Sequence, residues 1–318
     1  MRTRLAGLVV AGATAALAAA APPLRAMLWA PADADPVRAF GTAPTECLPP
    51  IADPAEALKV EIGRAAFRTP VVLGGQAARA RVACETCHRA GRDNPDFQFP
   101  GVSGSPGTAD VTSSLFSTHR GNATDDPKPI PDLSGPHGRL KIDQAPAARK
   151  LELFIHGLIT EEFDGPEPSP AVLDGLAGYV RALNPAACPS RSRQPVTVAL
   201  LMDDARRALR AAQATARQGD RATAVTLVAG ARARLGLIDE RFAGAALRVD
   251  RQALRNADAS LGALQQALRE GRPDAARTLA TWITQSDALE AKLTRHAPAS
   301  LFDPARLARA AANRRLPG

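Results

Sequence analysis

Aromatic residues and cysteines are both scarce in this sequence of 318 residues. Phe, Trp and Tyr together make up 4% of the chain, whereas alanine is used very heavily. Because β-sandwiches and barrels depend on aromatic and β-branched residues, this composition disfavours an all-β fold and predicts an all-α one. Four cysteines are too few for a disulfide-bonded scaffold, so each needs its own explanation. The length is typical of about two domains.

Charged residues are missing from residues 5–21, an apolar run that follows two arginines. A basic start followed by such a run is typical of a secretory signal, with cleavage after Ala26 or at residues 32–34. A permanent membrane anchor is the alternative, which the low content of Leu, Ile, Val and Phe disfavours. We therefore expect residues 1–26 to be a signal peptide and the mature protein to be periplasmic.

The formal charge of +8 is unevenly distributed along the chain. Residues 27–189 carry a net charge of −5, and residues 190–318 carry +10. A stretch rich in proline and serine lies where the two parts meet, and it is typical of a linker. The sequence therefore predicts, in chain order, an acidic domain (45–189), a linker (190–195), an arginine-rich helical domain (196–297) and a tail (298–318).

The most specific motif is Cys-x-x-Cys-His at residues 84–88. Two thiols at this spacing each bond one vinyl group of a porphyrin, and the adjacent histidine supplies the proximal nitrogen to iron. A redox Cys-x-x-Cys pair needs a βαβ setting, and a zinc knuckle needs a second Cys/His pair nearby; the sequence shows neither. We therefore expect one covalently bound haem c, attached to Cys84 and Cys87, with His88 as an iron ligand. The export signal agrees with this, because haem is attached outside the cytoplasm.

Two predicted helices flank the motif. The first begins with an Asp-Pro pair at residues 53–54, a capping residue followed by proline, and the second spans residues 171–183. The apolar face of the second helix is formed by Leu173, Leu176, Val180 and Leu183. Residues 62–67 resemble the first helix of class I cytochromes c, in which a small and an aromatic residue meet the last helix of the domain. We expect Gly63 and Gly178 to let the two helices cross closely.

The region between the motif and the second helix is long for a small cytochrome c. It resembles the di-haem cytochrome c peroxidase and methylamine-utilisation cytochrome family in residues 111–116, 119–122, 127–133 and 150–165. The resemblance covers residues 55–185 and implies a cytochrome c-like haem domain. Enzymes of that family carry two haem motifs and use one haem as an electron relay, whereas this chain carries one motif. A peroxidase reaction would therefore need a partner that supplies the second haem.

The predicted haem domain lacks methionine, a common distal ligand of electron-transfer cytochromes c. The methionines of the chain are Met1, Met27 and Met202. Three arrangements remain: a second histidine ligand, an open five-coordinate iron, or a ligand from Met202. His119 is the first histidine candidate because it lies in a polar segment. His156, on an apolar predicted helix, is the second, and His137 is interpreted as a turn residue.

An open iron would react with peroxide, with Glu161 and Glu162 as candidate acid–base groups. The simpler interpretation of these two residues is the solvated end of a helix.

Cys47 and Cys188 lie just outside the two flanking helices. If those helices cross, their outer ends approach each other, and an oxidising compartment then favours a disulfide between the two cysteines. Two separate thiols are the alternative.

The basic half shows no catalytic or metal-binding pattern. Its amphipathic segments are residues 196–218, 221–243, 246–270 and 273–296. The third has leucines at seven-residue intervals from Leu247 to Leu268, which is a heptad seam. Positions 52 residues apart match, for example Leu209 with Leu261 and Gly219 with Gly271. This similarity predicts a duplicated helical hairpin and hence a four-helix bundle.

Together these patterns predict an exported mono-haem cytochrome that carries electrons and has no catalytic residue. The alternatives are a peroxidase-like enzyme with an open or displaceable distal site, and a haem sensor or structural protein. The arginine excess has several interpretations: a solvated face, docking to an acidic redox partner, docking onto the chain's own acidic domain, or contact with anionic lipid. Nucleic acid is not an expected partner of an exported chain with so few aromatic residues.

Overall fold

The computed structural model describes residues 22–99, 103–110, 116–119, 124, 126–135, 141–188 and 192–312. Most of the regular structure in these residues is helical, which confirms the all-α prediction. The α-helices are α1 (Pro54–Phe67), α2 (Gly75–Arg79), α3 (Cys84–Cys87), α4 (Lys150–Gly157), α5 (Pro170–Ala182), α6 (Val198–Arg217), α7 (Arg221–Arg241), α8 (Arg248–Arg269), α9 (Ala275–His296) and α10 (Pro304–Ala312).

Short elements connect these helices. Single turns of 3₁₀-helix lie at Arg25–Trp29, Pro70–Val72, Arg89–Gly91, Pro146–Ala148, Pro185–Ala187, Ala245–Leu247 and Ala297–Ala299, and π-helical turns lie at Val37–Gly41 and Leu158–Glu162. The strands are β1 (Thr42–Pro44), β2 (Thr108–Ala109), β3 (Lys128–Pro129) and β4 (Arg193–Pro195). They form two antiparallel pairs, β1 with β4 and β2 with β3.

Side-chain caps explain where three of the main helices begin. Asp53, Ser169 and Thr197 each accept a hydrogen bond from the main-chain N–H three residues further along. Proline follows Asp53 and Ser169 at the first helical position, where a missing N–H has no cost. The Asp-Pro signal therefore predicted the start of α1 correctly.

Helices α1 and α5 cross at a pair of glycines. A Cβ atom on Gly63 would lie 1.8 Å from the carbonyl oxygen of Gly175, so only glycine permits this approach. Gly178 also faces α1, as predicted, but it lies against the side chain of Lys59, and Gly175 is the residue that meets Gly63. One turn further along, the rings of Phe67 and Tyr179 pack with their centroids 5.1 Å apart.

The buried face of α5 also differs from the prediction. Val172 is buried at 2% exposure, whereas the predicted core residue Leu173 is only partly buried. The reason is that α5 packs on two sides, against α1 and against α4, where Leu151 contacts Ala177 and Val180. A single apolar stripe could not predict a helix that is covered on both sides.

We expect Gly63→Ala to lower the free energy of unfolding by about 1–3 kcal/mol, as overpacking does. The atoms that a methyl group would meet belong to the main chain of α5, so no side-chain rotation relieves the clash. Chemical denaturation followed by far-UV circular dichroism measures the effect. Gly178→Ala is the matched control, since its methyl group meets only flexible methylene groups of Lys59. Equal losses in the two variants would show that the glycine pair is not the crossing point.

The C-terminal half (residues 196–312) contains the four predicted helices. Their observed ends agree with the predicted ends to within two residues. In space α6 neighbours α7 and α9, and α8 also neighbours both of these helices. The leucines of the heptad seam on and before α8, from Leu247 to Leu268, are all buried.

The N-terminal half (residues 22–188) and the C-terminal half share one hydrophobic core. Helix α1 packs against α6 and α7. The approach is close, because a Cβ on Gly230 of α7 would lie 2.4 Å from Thr69 Oγ1. Part of the predicted linker is strand β4, which pairs with β1 so that Thr42 lies opposite Pro195. The main-chain hydrogen bonds of this pair tie the connection to the N-terminal half.

The two ends of the described chain pack together in a second, smaller core. Met27 is 1% exposed and lies with Leu24 and Phe40 against Leu301 and Leu307 of the C-terminal segment. Part of the predicted tail is therefore the ordered helix α10. The apolar run of the predicted signal lies outside the described residues, and no described helix is long and apolar enough to cross a membrane.

Candidate haem site

The Cys-x-x-Cys segment forms a single helical turn, α3. Thr86 Oγ1 accepts a hydrogen bond from the Ala83 N–H at 3.0 Å, and the His88 N–H donates to the Cys84 carbonyl at 2.9 Å. Cys84 and Cys87 are three residues apart and therefore lie on the same side of the turn. Both are free thiols and half-buried. The turn thus presents two thiols, directly followed by the histidine.

The ring of His88 is held by one defined hydrogen bond. Its Nδ1 lies 3.1 Å from the carbonyl oxygen of Pro131, and because a carbonyl only accepts, Nδ1 carries the proton. The other nitrogen, Nε2, therefore has a lone pair available for a metal. Burial lowers the pKa of His88 to about 4, although Pro131 and Asp132 act in the opposite direction. The imidazole is neutral at pH 7, as an iron ligand must be.

The two thiols are held in an apolar setting. Burial raises the pKa of Cys84 and of Cys87 to about 12, so both are protonated at neutral pH. This differs from a redox-active Cys-x-x-Cys pair, in which one thiol has a lowered pKa. In the described part of the chain, no three His, Cys, Asp or Glu side chains are grouped so as to hold a metal ion. The residues present fit a covalently attached porphyrin with one histidine ligand.

Aromatic and apolar groups surround the motif. The ring centroid of Phe67 lies 6.4 Å from that of His88. Gly91 follows the motif with a φ of 73°, and a Cβ there would lie 2.4 Å from the Leu183 side chain. Its carbonyl accepts a hydrogen bond from the Leu133 N–H at 3.1 Å. The motif is therefore wedged between α5 and the segment that carries Pro131.

The structure places the two histidine candidates for the distal ligand beside carboxylates. His119 Nδ1 lies 2.9 Å from Asp164 Oδ1, and its side chain is 63% exposed. His156 Nε2 lies 2.8 Å from Glu167 Oε2. No described contact joins either histidine to His88. His137, residues 111–115 and residues 120–123 lie outside the described residues.

The other sequence candidates lie as follows. Met202 is fully buried in α6 and belongs to the core that the two halves share. Glu161 and Glu162 are in the π-helical turn at Leu158–Glu162, where Glu162 is buried. The carbonyl of Glu161 accepts a hydrogen bond from Ser117 Oγ at 2.5 Å.

A disulfide joins Cys47 to Cys188, with Cα atoms 5.1 Å apart and 141 residues between them in sequence. Next to it the Asn184 N–H donates to the Cys47 carbonyl at 2.8 Å. The bond links the segment before α1 to the segment after α5. It therefore closes the N-terminal half around the Cys-x-x-Cys-His motif.

Replacing both Cys47 and Cys188 with alanine should lower the free energy of unfolding by about 2–4 kcal/mol, because the unfolded chain regains conformational freedom. Urea denaturation under oxidising conditions measures the loss. A reductant should weaken the wild-type protein by a similar amount and leave the variant unchanged. If the two proteins are equally stable without reductant, the bond contributes nothing.

A buried group of charges, which the sequence analysis missed, lies behind the motif. We call it the arginine–carboxylate cluster; its members are Glu46, Arg64, Arg68, Glu85, Asp204 and Arg234. Arg64 Nε lies 2.8 Å from Glu46 Oε2, and Arg64 Nη2 lies 2.5 Å from Asp204 Oδ1. Arg68 Nη2 donates to Glu46 Oε1 at 2.8 Å. The Tyr179 hydroxyl donates to the same oxygen at 2.6 Å.

The cluster reaches the Cys-x-x-Cys-His motif through Glu85, which lies between the two cysteines in the sequence. Glu85 Oε1 lies 3.2 Å from Arg68 Nε, and Glu85 Oε2 accepts a hydrogen bond from Arg234 Nη1 at 2.9 Å. Arg234 belongs to α7 and also donates to the Arg68 carbonyl at 2.8 Å. The C-terminal half is thus connected directly to the turn that carries the thiols.

The carboxylates of the cluster stay ionised in spite of their burial. Burial by itself raises the pKa of Glu46, but Arg68 and Arg64 hold it well below the ordinary value. The pKa of Asp204 is lowered too, since Arg68 and Arg64 outweigh its burial. Arg64 on α1 and Arg68, which directly follows the helix, are four residues apart, and this spacing was the signal that the sequence offered. Their partners are too distant in sequence to be identified from it.

No protein-family model matches the chain, no curated protein matches it, and no solved structure matches it.

Proposed function

We propose that this chain is an exported mono-haem c-type cytochrome that carries single electrons. The observation that supports it best is the position of His88 beside two free thiols. Because Nδ1 is bonded to Pro131, Nε2 is left for iron. A haem bound there supplies a one-electron Fe(III)/Fe(II) couple.

The residues of this chain then have separate roles. Cys84 and Cys87 hold the porphyrin, and the Pro131 carbonyl sets the tautomer and orientation of His88. Phe67 keeps water from the histidine. The glycine crossing of α1 and α5 and the packing of Phe67 on Tyr179 support a cytochrome c-like domain. The Cys47–Cys188 disulfide supports an oxidising compartment, the periplasm.

The C-terminal half is, in this proposal, a four-helix bundle made of two related hairpins. Part of its arginine excess contacts the acidic N-terminal half, since Arg207 pairs with Glu61 and Arg234 with Glu85. Other arginines of this half, among them Arg210, Arg255 and Arg272, are exposed. We propose that the exposed arginines dock an acidic redox partner.

His119 is the better supported distal ligand. A carboxylate on Nδ1 leaves Nε2 for iron, and a carboxylate commonly holds a metal-bound histidine through its other ring nitrogen in this way. In His156 the carboxylate is on Nε2 instead.

The competing function is a peroxidase-like enzyme with an open iron. The 63% exposure of the His119 side chain favours this alternative, because such a ligand is easily displaced.

EPR and optical spectra of the ferric protein distinguish the two functions. An electron carrier should give a low-spin ferric spectrum. His119→Ala should make it high-spin, and His156→Ala, the matched control, should leave it unchanged. A high-spin wild-type spectrum or a fast reaction with hydrogen peroxide would favour the enzyme. A low-spin spectrum that persists in His119→Ala would exclude His119 as the ligand.

A further inference from the structure

A cavity of about 750 Å³ lies on the side of α3 that faces away from the thiols. Its lining includes Glu85, Thr86 and Arg89 but none of the three residues predicted to hold haem. The opposite wall is formed by α7 and α8 of the C-terminal half. The cavity is therefore separate from the candidate haem site, and its size is typical of a small-molecule pocket.

Positive charge predominates in the lining, which has nine arginines and six carboxylates. Every one of these carboxylates already has an arginine partner; the pairs are Glu85–Arg234, Asp96–Arg38, Asp204–Arg64, Asp239–Arg251, Glu240–Arg81 and Asp258–Arg232. The wall carboxylates thus form their ion pairs with arginines other than Arg89 and Arg241, on which Glu85, Asp96 and Glu240 act only from a distance.

Two of the remaining arginines bond to main-chain carbonyls. Arg241 is 8% exposed and donates to the Phe40 carbonyl at 2.7 Å, and Arg89 donates to the Ala39 carbonyl. No described carboxylate forms an ion pair with either one. Burial, together with the charge of Arg89, lowers the pKa of Arg241 to about 10, so the guanidinium stays charged at neutral pH. A buried cation such as Arg241 without an ion-pair partner is rare, because leaving water has a large cost.

Buried polar atoms without a hydrogen-bond partner lie in the same lining. Arg234 Nε is such a donor, and its side chain is more than nine-tenths buried. Asp96 Oδ2 is an acceptor without a donor. The Arg234 Nε–H is a donor that an acceptor oxygen inside the cavity can satisfy.

The rest of the wall is apolar. Trp29, Phe40, Val71 and Leu254 line the cavity, and Leu254 is 2% exposed. A ligand that fits both parts of the wall has a negatively charged head and an apolar body.

We propose that this cavity binds a small organic carboxylate with an apolar body, whose head group is held by Arg241 and Arg89. The carboxylate supplies the missing counter-charge, and the apolar body covers Phe40 and Leu254. The site does not depend on haem and lies on the opposite side of α3 from the thiols.

Isothermal titration calorimetry of the full mature protein with octanoate tests the site. We expect one octanoate to bind per chain. Octanamide has the same apolar body without the charge, and we expect its affinity to be lower by about tenfold or more. The absorption spectrum in the visible range should not change on binding. Binding at the iron would change it.

Arg241→Met should weaken octanoate binding about tenfold or more. Arg306→Met is the matched control, since Arg306 also donates to a main-chain carbonyl but lies outside the lining. Ala233→Phe places a ring in the wall of the cavity without a change of charge and should also weaken binding, so it replaces Arg241→Met if that variant does not fold. The site is excluded if octanoate does not bind, if octanamide binds equally well, or if Arg241→Met and Ala233→Phe both bind like the wild type. An empty or water-filled cavity would give the first result.

Discussion

Replacing Cys84 and Cys87 together with alanine should abolish covalent haem binding. Each thiol forms one thioether bond to a porphyrin vinyl group, and no other thiol is available because Cys47 and Cys188 form a disulfide. The variant is produced in a host that matures c-type cytochromes and is then denatured in acidified organic solvent. Any haem in the variant should separate from the polypeptide, whereas the haem of the wild-type protein should remain attached to its polypeptide.

The double replacement Cys47→Ala and Cys188→Ala is the control for the loss of two cysteines. It should keep its haem, since these residues lie outside the motif. The central proposal is wrong if the Cys84/Cys87 variant retains bound colour, or if wild-type and variant proteins are equally colourless.

Arg68→Met should lower the free energy of unfolding by about 3–5 kcal/mol, the cost of removing one partner from a buried ion pair. The change leaves Glu46 and Glu85 with one cation fewer in a site where the Arg68 side chain is 5% exposed. Denaturation in urea at pH 7 measures the loss. Arg210→Met is the matched control, because Arg210 and its partner Asp203 are both half exposed. Such a surface pair contributes about 0–1 kcal/mol. A small loss in both variants would mean that the cluster does not hold the halves together.

The pH dependence of stability gives a second test of the cluster. Glu46 and Asp204 have pKa values below their ordinary values of 4.5 and 3.8 in the folded protein, so the unfolded chain takes up protons first as the pH falls. Their contribution to the free energy of unfolding is therefore complete above about pH 4.5. It declines as the pH falls through the lower pKa values that the two groups have in the folded protein. In Arg68→Met this decline should be smaller, because the lowered pKa values return toward their ordinary values.

Local signals predicted the secondary structure of this chain well. The Asp-Pro start of α1 and the leucine seam of α8 depend on neighbours a few residues away, and both were identified. The Cys-x-x-Cys-His motif likewise stands in one contiguous turn. The periodicity of α5 was less informative, because a helix that is covered by both α1 and α4 has no single apolar stripe.

Contacts between distant segments were the part that the sequence did not reveal. The hydrogen bond from His88 to Pro131 spans 43 residues, and the ion pair from Arg64 to Asp204 spans 140. Net charges of the two halves suggested an attraction between them. They did not indicate that Arg64 and Arg68 would be buried, or that Glu85 inside the motif would join α1 to α7.

The intact mass of the denatured mature protein tests the central claim most directly. We predict a mass equal to that of the processed polypeptide with one disulfide plus one haem, together with the absorption bands of a haem c with two thioether bonds. A colourless protein whose mass is that of the polypeptide alone would contradict the proposal.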